Sequence, residues 1–306
     1  MYTPQRMRSR PSARRLLGLP GIFVLVLAAQ PAGAQASVTT AGIVYRVVNG
    51  KELKLDLERP LPGGVRRPTV VFLCGNGWGY TATFDRTEFA YGLDLAAARG
   101  YVGVTVDYSS TRANGNDRPT GAFPAQVHDV KSAIRFLRAN ASRYDIDPDR
   151  IAVVGHSSGG NLALMLGLTR PQDGLEGEDD GLRFSSAVQA VVNFAGPTEL
   201  ASDYTSTPAV DAAYVGGTPK AVPEKYRAAS PVTYVRHDAP PILTIHGDKD
   251  VASAIRQALL LDERMRAVGG RHTLIVKPGA GHMDFTLADP AVWEFLGRVL
   301  QKRGEP

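Results

Sequence analysis

Ser157 stands at the centre of Gly155-His156-Ser157-Ser158-Gly159, with Gly160 directly after. The pentapeptide follows an apolar run, residues 151–154, and leads into residues 161–168, which have helical composition. A turn this tight between strand and helix crowds the neighbours of its central residue, so glycines flank it, and it lifts the hydroxyl onto the top of a sheet. His156 and Ser158 are competing side chains, but neither holds the central position. Alone the pentapeptide is common by chance; between a buried strand and a helix it is specific.

A serine hydroxyl is a weak nucleophile until a base takes its proton. Of the six histidines, His128 falls on a predicted helix, His156 flanks the serine and His237 lies in an irregular stretch. His246 ends a predicted strand and His272 begins one. His282 alone sits in a glycine-rich loop, Gly279-Ala280-Gly281-His282, directly after the last predicted strand, where a side chain can swing over the sheet. The base needs a carboxylate to hold its tautomer and to stabilise the imidazolium that forms. Asp248 and Asp250 both follow the strand at 242–246, and spacing does not separate them. The order Ser, Asp, His differs from that of trypsin-like and subtilisin-like enzymes.

Negative charge developing on a carbonyl oxygen needs backbone N–H donors, one after the nucleophile and others from a loop after an early strand. Ser158 N–H is the first. The loop is Cys74-Gly75-Asn76-Gly77-Trp78-Gly79, with Asn76 and Gly77 as the expected donors; a plain glycine-rich turn is the alternative.

The elements that must carry these residues alternate. Candidate central strands are residues 69–73, 102–106, 151–154, 188–194, 242–246 and 273–276, several of them almost continuously apolar, as parallel strands covered on both faces are. Residues 125–140 place Val127, Val130, Ile134 and Leu137 on one helical face, with Lys131, Arg135 and Arg138 elsewhere. Val292, Phe295, Leu296 and Val299 make a similar stripe. This predicts a doubly wound α/β sheet. Residues 43–57, around Asn49-Gly50, predict an antiparallel hairpin that extends one sheet edge. The acidic residues 173–181 are expected as a solvated loop. Residues 197–239, with Tyr204, Tyr214, Tyr226 and Tyr234 among prolines and glycines, are expected as an excursion over the site.

Composition is that of a globular chain, 43% hydrophobic and 21% charged, able to bury a sizeable core. The +5 net charge does not point to nucleic acid, because Arg6, Arg8, Arg10, Arg14 and Arg15 carry the whole excess. Those arginines, the apolar residues 16–29 and Ala32-Gly33-Ala34 predict a secretory signal peptide over residues 1–34, ahead of one domain at 35–306. Arg14-Arg15 also admits a twin-arginine route. Pro20 and Gly21 interrupt the apolar run, which falls short of the roughly 20 residues that span a bilayer, so no stable membrane insertion is expected after cleavage. Cys74 is the only cysteine, which excludes an intrachain disulfide.

With these motifs assembled, residues 40–300 resemble the BD-FAE-like and hormone-sensitive-lipase-like esterases of the α/β-hydrolase superfamily. The resemblance rests on CGNGW in place of an HGG-type motif, GYVGVTVDY, FPAQVHDVKSAIRFLRANA, DPDRIAVVGHSSGGNLAL, SSAVQAVVNFAGPTEL, PPILTIHGDKD and KPGAGH. It implies a serine carboxylesterase of the α/β-hydrolase fold. By its HGxxD pattern Asp250, not Asp248, joins Ser157 and His282, and the oxyanion donors are Asn76 and Gly77. It implies no cofactor and no metal, and a small-molecule or polysaccharide-borne acyl ester as substrate, met in the periplasm or outside the cell. Two departures lie in the oxyanion loop: Cys74 replaces a histidine, and Asn76 replaces a glycine whose left-handed backbone Asn best tolerates. Neighbouring readings are a peptidase-like or formamidase-like hydrolase, or a catalytically impaired binding protein of the same fold.

Overall fold

Successive residues of the central strands are buried on opposite faces, and helices must cover both. The computed structural model describes residues 36–81, 85–112, 121–178, 183–201 and 207–300. Its sheet contains β1 (Ser37–Val48), β2 (Lys51–Pro60), β3 (Arg67–Leu73), β4 (Val102–Val106), β5 (Ile146–His156), β6 (Ala190–Phe194), β7 (Ile242–Gly247) and β8 (His272–Lys277). The order is β1-β2-β4-β3-β5-β6-β7-β8. β2 pairs antiparallel with β1 and with β4, and the remaining pairs are parallel.

Val71, Leu73, Val153 and Val191 face one core, with α2 (Ala125–Ala139), α3 (Ser158–Leu168) and α6 (Arg256–Ala267). Val70, Phe72, Val154, Val192 and Phe194 face the other, with α1 (Ala90–Ala97) and α7 (Pro290–Leu300). This is the period-two alternation of a sheet covered twice. The expected strands are all present. β5 begins earlier than expected, at Ile146, which pairs with Arg67. The hairpin is longer than expected, and Asn49 and Gly50 both take positive φ, 51° and 80°, as a two-residue hairpin turn with matching twist requires.

Two expectations need correction. Part of the acidic stretch is not solvated: Glu176 accepts hydrogen bonds from Lys131 Nζ at 2.6 Å and Arg135 Nη1 at 2.9 Å, whose side chains are each only 1% exposed. Lys131 and Arg135 therefore do not lie on a solvated helix face, since a buried cation needs a countercharge and the loop supplies it. Helices α1 and α6 were not anticipated. In α1 the interior Gly92 weakens the helical signal, yet its missing side chain lets the helix rest on β3, where a Cβ would meet Phe72 at 3.2 Å.

The expected leader, residues 1–34, lies outside the described residues, as do Tyr204 and residues 179–181 of the acidic stretch. No helix among the described residues is long and apolar enough to cross a membrane.

The chain leaves β3 toward β4 on one side and β5 toward β6 on the other, so the winding direction reverses between β3 and β5. Ligands of open α/β sheets bind at the carboxyl ends of strands at such a reversal. Leu73 pairs with Gly155 there, so the loop that begins at Cys74 runs beside His156 and Ser157.

Candidate active site

Ser157 is the hinge between β5 and α3, with φ 54° and ψ −123°, a conformation that an L-residue adopts only when its surroundings impose it. They do so through close packing. A Cβ at Gly155 would lie 2.1 Å from the Gly159 carbonyl oxygen, and one at Gly159 would lie 2.1 Å from the Leu73 carbonyl oxygen. Both flanking glycines are thus required by the approach of α3 to the strands. Ser157 N–H donates to Phe194 O at 2.8 Å, which pins the turn to β6.

The structure brings Ser157, His282 and Asp250 into one line. His282 Nε2 is 2.9 Å from Ser157 Oγ, and His282 Nδ1 is 2.7 Å from Asp250 Oδ2. A carboxylate only accepts, so Nδ1 carries the proton and Nε2 is left as the acceptor facing the serine. The other Asp250 oxygen accepts from the N–H groups of Ala252 and Ser253 at 2.9 and 2.8 Å. Burial by itself would raise this carboxyl, but polar contacts from His246 and His282 and the Ser253 N–H outweigh it and hold Asp250 well below the usual carboxylate range.

Asp248, which spacing could not separate from Asp250, accepts the Gly279 N–H at 2.7 Å. It ties the end of β7 to the loop that carries His282, and Lys249 N–H adds a bond to Ala280 O at 2.9 Å. The other histidines bond elsewhere: His272 contacts Asp262 and Thr244, and His237 contacts Val268 O. His246 was set aside as a strand terminus, yet its Nε2 lies 2.6 Å from Ser253 O and 3.3 Å from Asp250 Oδ2.

In the loop after β3, positive φ falls on Gly77, Trp78 and Gly79 and not on Asn76. The expectation that Asn76 serves as a left-handed residue is therefore corrected: it acts through its side chain. Asn76 Oδ1 accepts the Gly79 N–H at 2.7 Å, and the Tyr108 hydroxyl reaches both Asn76 Oδ1 at 2.7 Å and Cys74 O at 2.6 Å. Asn76 N–H donates to Ser158 Oγ at 3.0 Å. Ser158 N–H belongs to the first residue of α3, where no intrahelical acceptor exists. Burial pushes the Cys74 thiol up to about 12, with Glu88 and Asp85 adding to it, so it is no competing nucleophile.

The BD-FAE family model matches residues 55–265, well over half of the chain. The chain belongs to the BD-FAE family. Among curated relatives of this BD-FAE protein, Esterase LipC of Mycobacterium tuberculosis (strain ATCC 25618 / H37Rv) is 33% identical over 232 residues, covering 73% of this chain and 54% of LipC. The chain thus spans about half the length of that relative. Among solved structures, a truncated carbohydrate esterase from gut microbiota superposes with a TM-score of 0.75 at 26% identity, covering 89% of this chain and 99% of that one. Thermogutta terrifontis esterase 2 phosphorylated by paraoxon superposes with a TM-score of 0.66 at 26% identity, covering 84% and 90%. The BD-FAE protein is an α/β-hydrolase, and these relatives are esterases.

The excursion of this BD-FAE domain carries α4 (Pro208–Val215) and α5 (Pro223–Ala229), and α4 packs against the loop after β3. Tyr214 of α4 stacks on Trp78 with centroids 4.1 Å apart and planes 4° from parallel, and a Cβ at Gly77 would meet Val210 at 2.9 Å. Trp78 Nε1 also reaches Asn161 Oδ1 at 3.3 Å, so the loop is held between α3 and α4. Sequence reasoning assigned no role to Tyr108, Trp78 or Asn161. Tyr108 does stand two residues beyond the end of a predicted strand, and that position was the available signal.

Proposed function

We propose that this protein hydrolyses carboxylic esters through an acyl-Ser157 intermediate, acting on short-chain or polysaccharide-borne acyl groups. The observation that carries the reading is the line Ser157 Oγ, His282 Nε2, His282 Nδ1, Asp250 Oδ2, with spacings of 2.9 and 2.7 Å on either side of the ring, at a strained strand-to-helix turn. Fold analogy raises the expectation of ester chemistry but does not select a substrate.

In this mechanism His282 Nε2 accepts the Ser157 proton as Oγ attacks the ester carbonyl carbon. The carbonyl oxygen becomes an oxyanion facing the N–H groups of Ser158, Gly77 and Asn76. Asn76 N–H already donates to Ser158 Oγ at 3.0 Å, so the first two are the principal donors in this reading. The imidazolium, stabilised by Asp250, then protonates the departing alcohol. Water enters, gives its proton to His282 and attacks the acyl carbon; the second oxyanion collapses, and the proton returns to Ser157 as the acid leaves. The LipC relative and the carbohydrate esterase neighbour support an ester substrate for this chain. Residues 1–34 are proposed as a signal peptide, which would place the enzyme outside the cytoplasm; the N-terminal residue of the mature protein tests this.

The deciding experiment is hydrolysis of p-nitrophenyl esters from acetate to decanoate, beside Ser157→Ala and fluorophosphonate labelling. The expected result is turnover of short chains and labelling, both absent in the variant. Absence of both from the unaltered protein would overturn the reading and favour a binding protein of the same fold.

A further inference from the structure

His156 is the residue before the serine, and the hydrolytic reading assigns it nothing. Its ring is buried, with the residue 3% exposed. Three segments that carry separate parts of the site meet on it. His156 Nε2 lies 2.9 Å from the backbone oxygen of His282. Its face stacks on Phe285, with centroids 3.9 Å apart and planes 18° from parallel. On the remaining side is the oxyanion loop, where a Cβ at Gly75 would come within 2.9 Å of His156 Nδ1. The His282 ring itself stands 4.8 Å away.

We infer that His156 is a positioning residue, whose Nε2–H bond to the His282 carbonyl sets the base loop in register with the serine turn. The inference rests on the hydrolytic reading of Ser157 and His282. Its logic is geometric. His282 enters the site from a loop five residues beyond β8, and that loop is joined to β7 through Asp248 and Lys249 but belongs to a different part of the sheet from β5. A bond from the residue adjoining Ser157 to the backbone of His282 closes the gap between β5 and the loop directly. Displacement of about 1 Å between nucleophile and base costs on the order of 100-fold in rate.

The proton on His156 is not free to choose. A carbonyl oxygen accepts, so Nε2 must carry the hydrogen, and Nδ1, crowded by Gly75, is bare in the neutral ring. Burial, with the neighbouring His282, lowers this imidazole to about 4, so the ring is neutral where an esterase works and does not compete with His282 for the serine proton. The Phe285 stack fixes the plane of the ring. His156 bonds to the His282 backbone and not to the serine hydroxyl, and so acts through His282.

The test compares His156→Phe, which keeps an aromatic ring on Phe285 and removes the donor, with His156→Gln, whose amide N–H has similar reach. For p-nitrophenyl acetate, kcat of His156→Phe should fall about 10- to 100-fold with KM changed less than about threefold, and His156→Gln should recover most of the loss. Fluorophosphonate labelling of Ser157 should slow in parallel. A role in folding alone would lower Tm in both variants and spare the kcat of the folded fraction; that result, or His156→Gln as impaired as His156→Phe, overturns the proposal. The unaltered protein supplies a second test should the Phe variant fail to fold. Nitrogen-15 shifts at pH 7 should show the Nε2–H tautomer at His156, and an Nδ1–H tautomer, which cannot donate to His282 O, also overturns it. Failure of the hydrolytic reading is distinct, because it appears as absent turnover and labelling before any substitution at His156.

Discussion

The Tyr108 hydroxyl lies 2.7 Å from Asn76 Oδ1, joining the end of β4 to the middle of the oxyanion loop. The same hydroxyl is 2.6 Å from the Cys74 carbonyl and 3.4 Å from Ser158 Oγ, so one phenol serves both the loop and the first residue of α3. The residue is half-buried, and desolvation of its hydroxyl together with the nearby Cys74 raises the phenol well above its ordinary range, so it remains a donor. The loop is thus braced from the end of β4. Tyr108→Phe removes that brace without changing ring volume. It is expected to lower kcat about tenfold with a smaller effect on KM, because a mispositioned donor is lost mainly in the transition state. Steady-state kinetics on p-nitrophenyl acetate check this, and an unchanged kcat would show that the loop holds itself.

Asp248 and Asp250 should separate cleanly. Asp250→Asn replaces an acceptor with an amide that can force the wrong His282 tautomer, and kcat is expected to fall by about 10⁴-fold. Asp248→Asn keeps a carbonyl oxygen for the Gly279 N–H and should remain within about tenfold of the unaltered enzyme. Equal losses in the two variants would contradict the division of labour between them.

Glu176→Gln leaves the buried Lys131 and Arg135 side chains without their countercharge. Breaking a buried charge cluster from one side costs about 3 kcal/mol or more. The urea midpoint should fall accordingly, while kcat of the folded protein stays unchanged, since the bonds of this cluster run among Lys131, Arg135, Glu176 and Ser186 and not to Ser157, His282 or Asp250.

Tyr214→Leu should loosen the excursion. The substitution removes the parallel stack on Trp78 and an edge contact with Phe123. The expected stability loss is about 1 to 2 kcal/mol, because aromatic pairs contribute beyond their buried area. Denaturant melts measure it, and a rise in KM for longer acyl chains would accompany it if α4 borders the acyl pocket.

Acid should destabilise the protein in two windows. The folded His156 is held down to about 4, whereas the unfolded residue titrates near 6.5. Below pH of about 6.5 the unfolded chain takes the proton first, so stability is lost progressively as pH falls from about 6.5 to 4. Partly buried His128 and His272 are shifted the same way and add to the slope. Asp250 is depressed, so its contribution is present above about pH 4 and is lost as pH falls through the folded value. Urea melts at pH 7, 6, 5 and 4 should show a shallower slope for His156→Gln; an identical slope would contradict the buried neutral imidazole.

What was legible in the chain was what short-range chemistry dictates. The serine turn could be read because Gly155 answers to a contact only four residues away, against Gly159. Almost continuous apolar runs likewise announced the parallel strands, and Asn49-Gly50 announced the hairpin turn. The resemblance selected Asp250 where spacing could not. Helix α1 escaped notice because Gly92 answers to Leu287 and Phe72, distant in sequence, and not to its own helix.

The sequence by itself therefore determined the layered α/β architecture, the serine turn and the glycine-rich loop that carries His282, since propensity and periodicity act over a few residues. Only the tertiary structure decided that Asp248 ties down a loop while Asp250 faces the imidazole, that Tyr108 braces Asn76, that Glu176 covers two buried cations, and that His156 meets the His282 backbone. These relations join residues 31 to 126 positions apart, and direction at that separation is set by strand order and close packing, which no local pattern encodes.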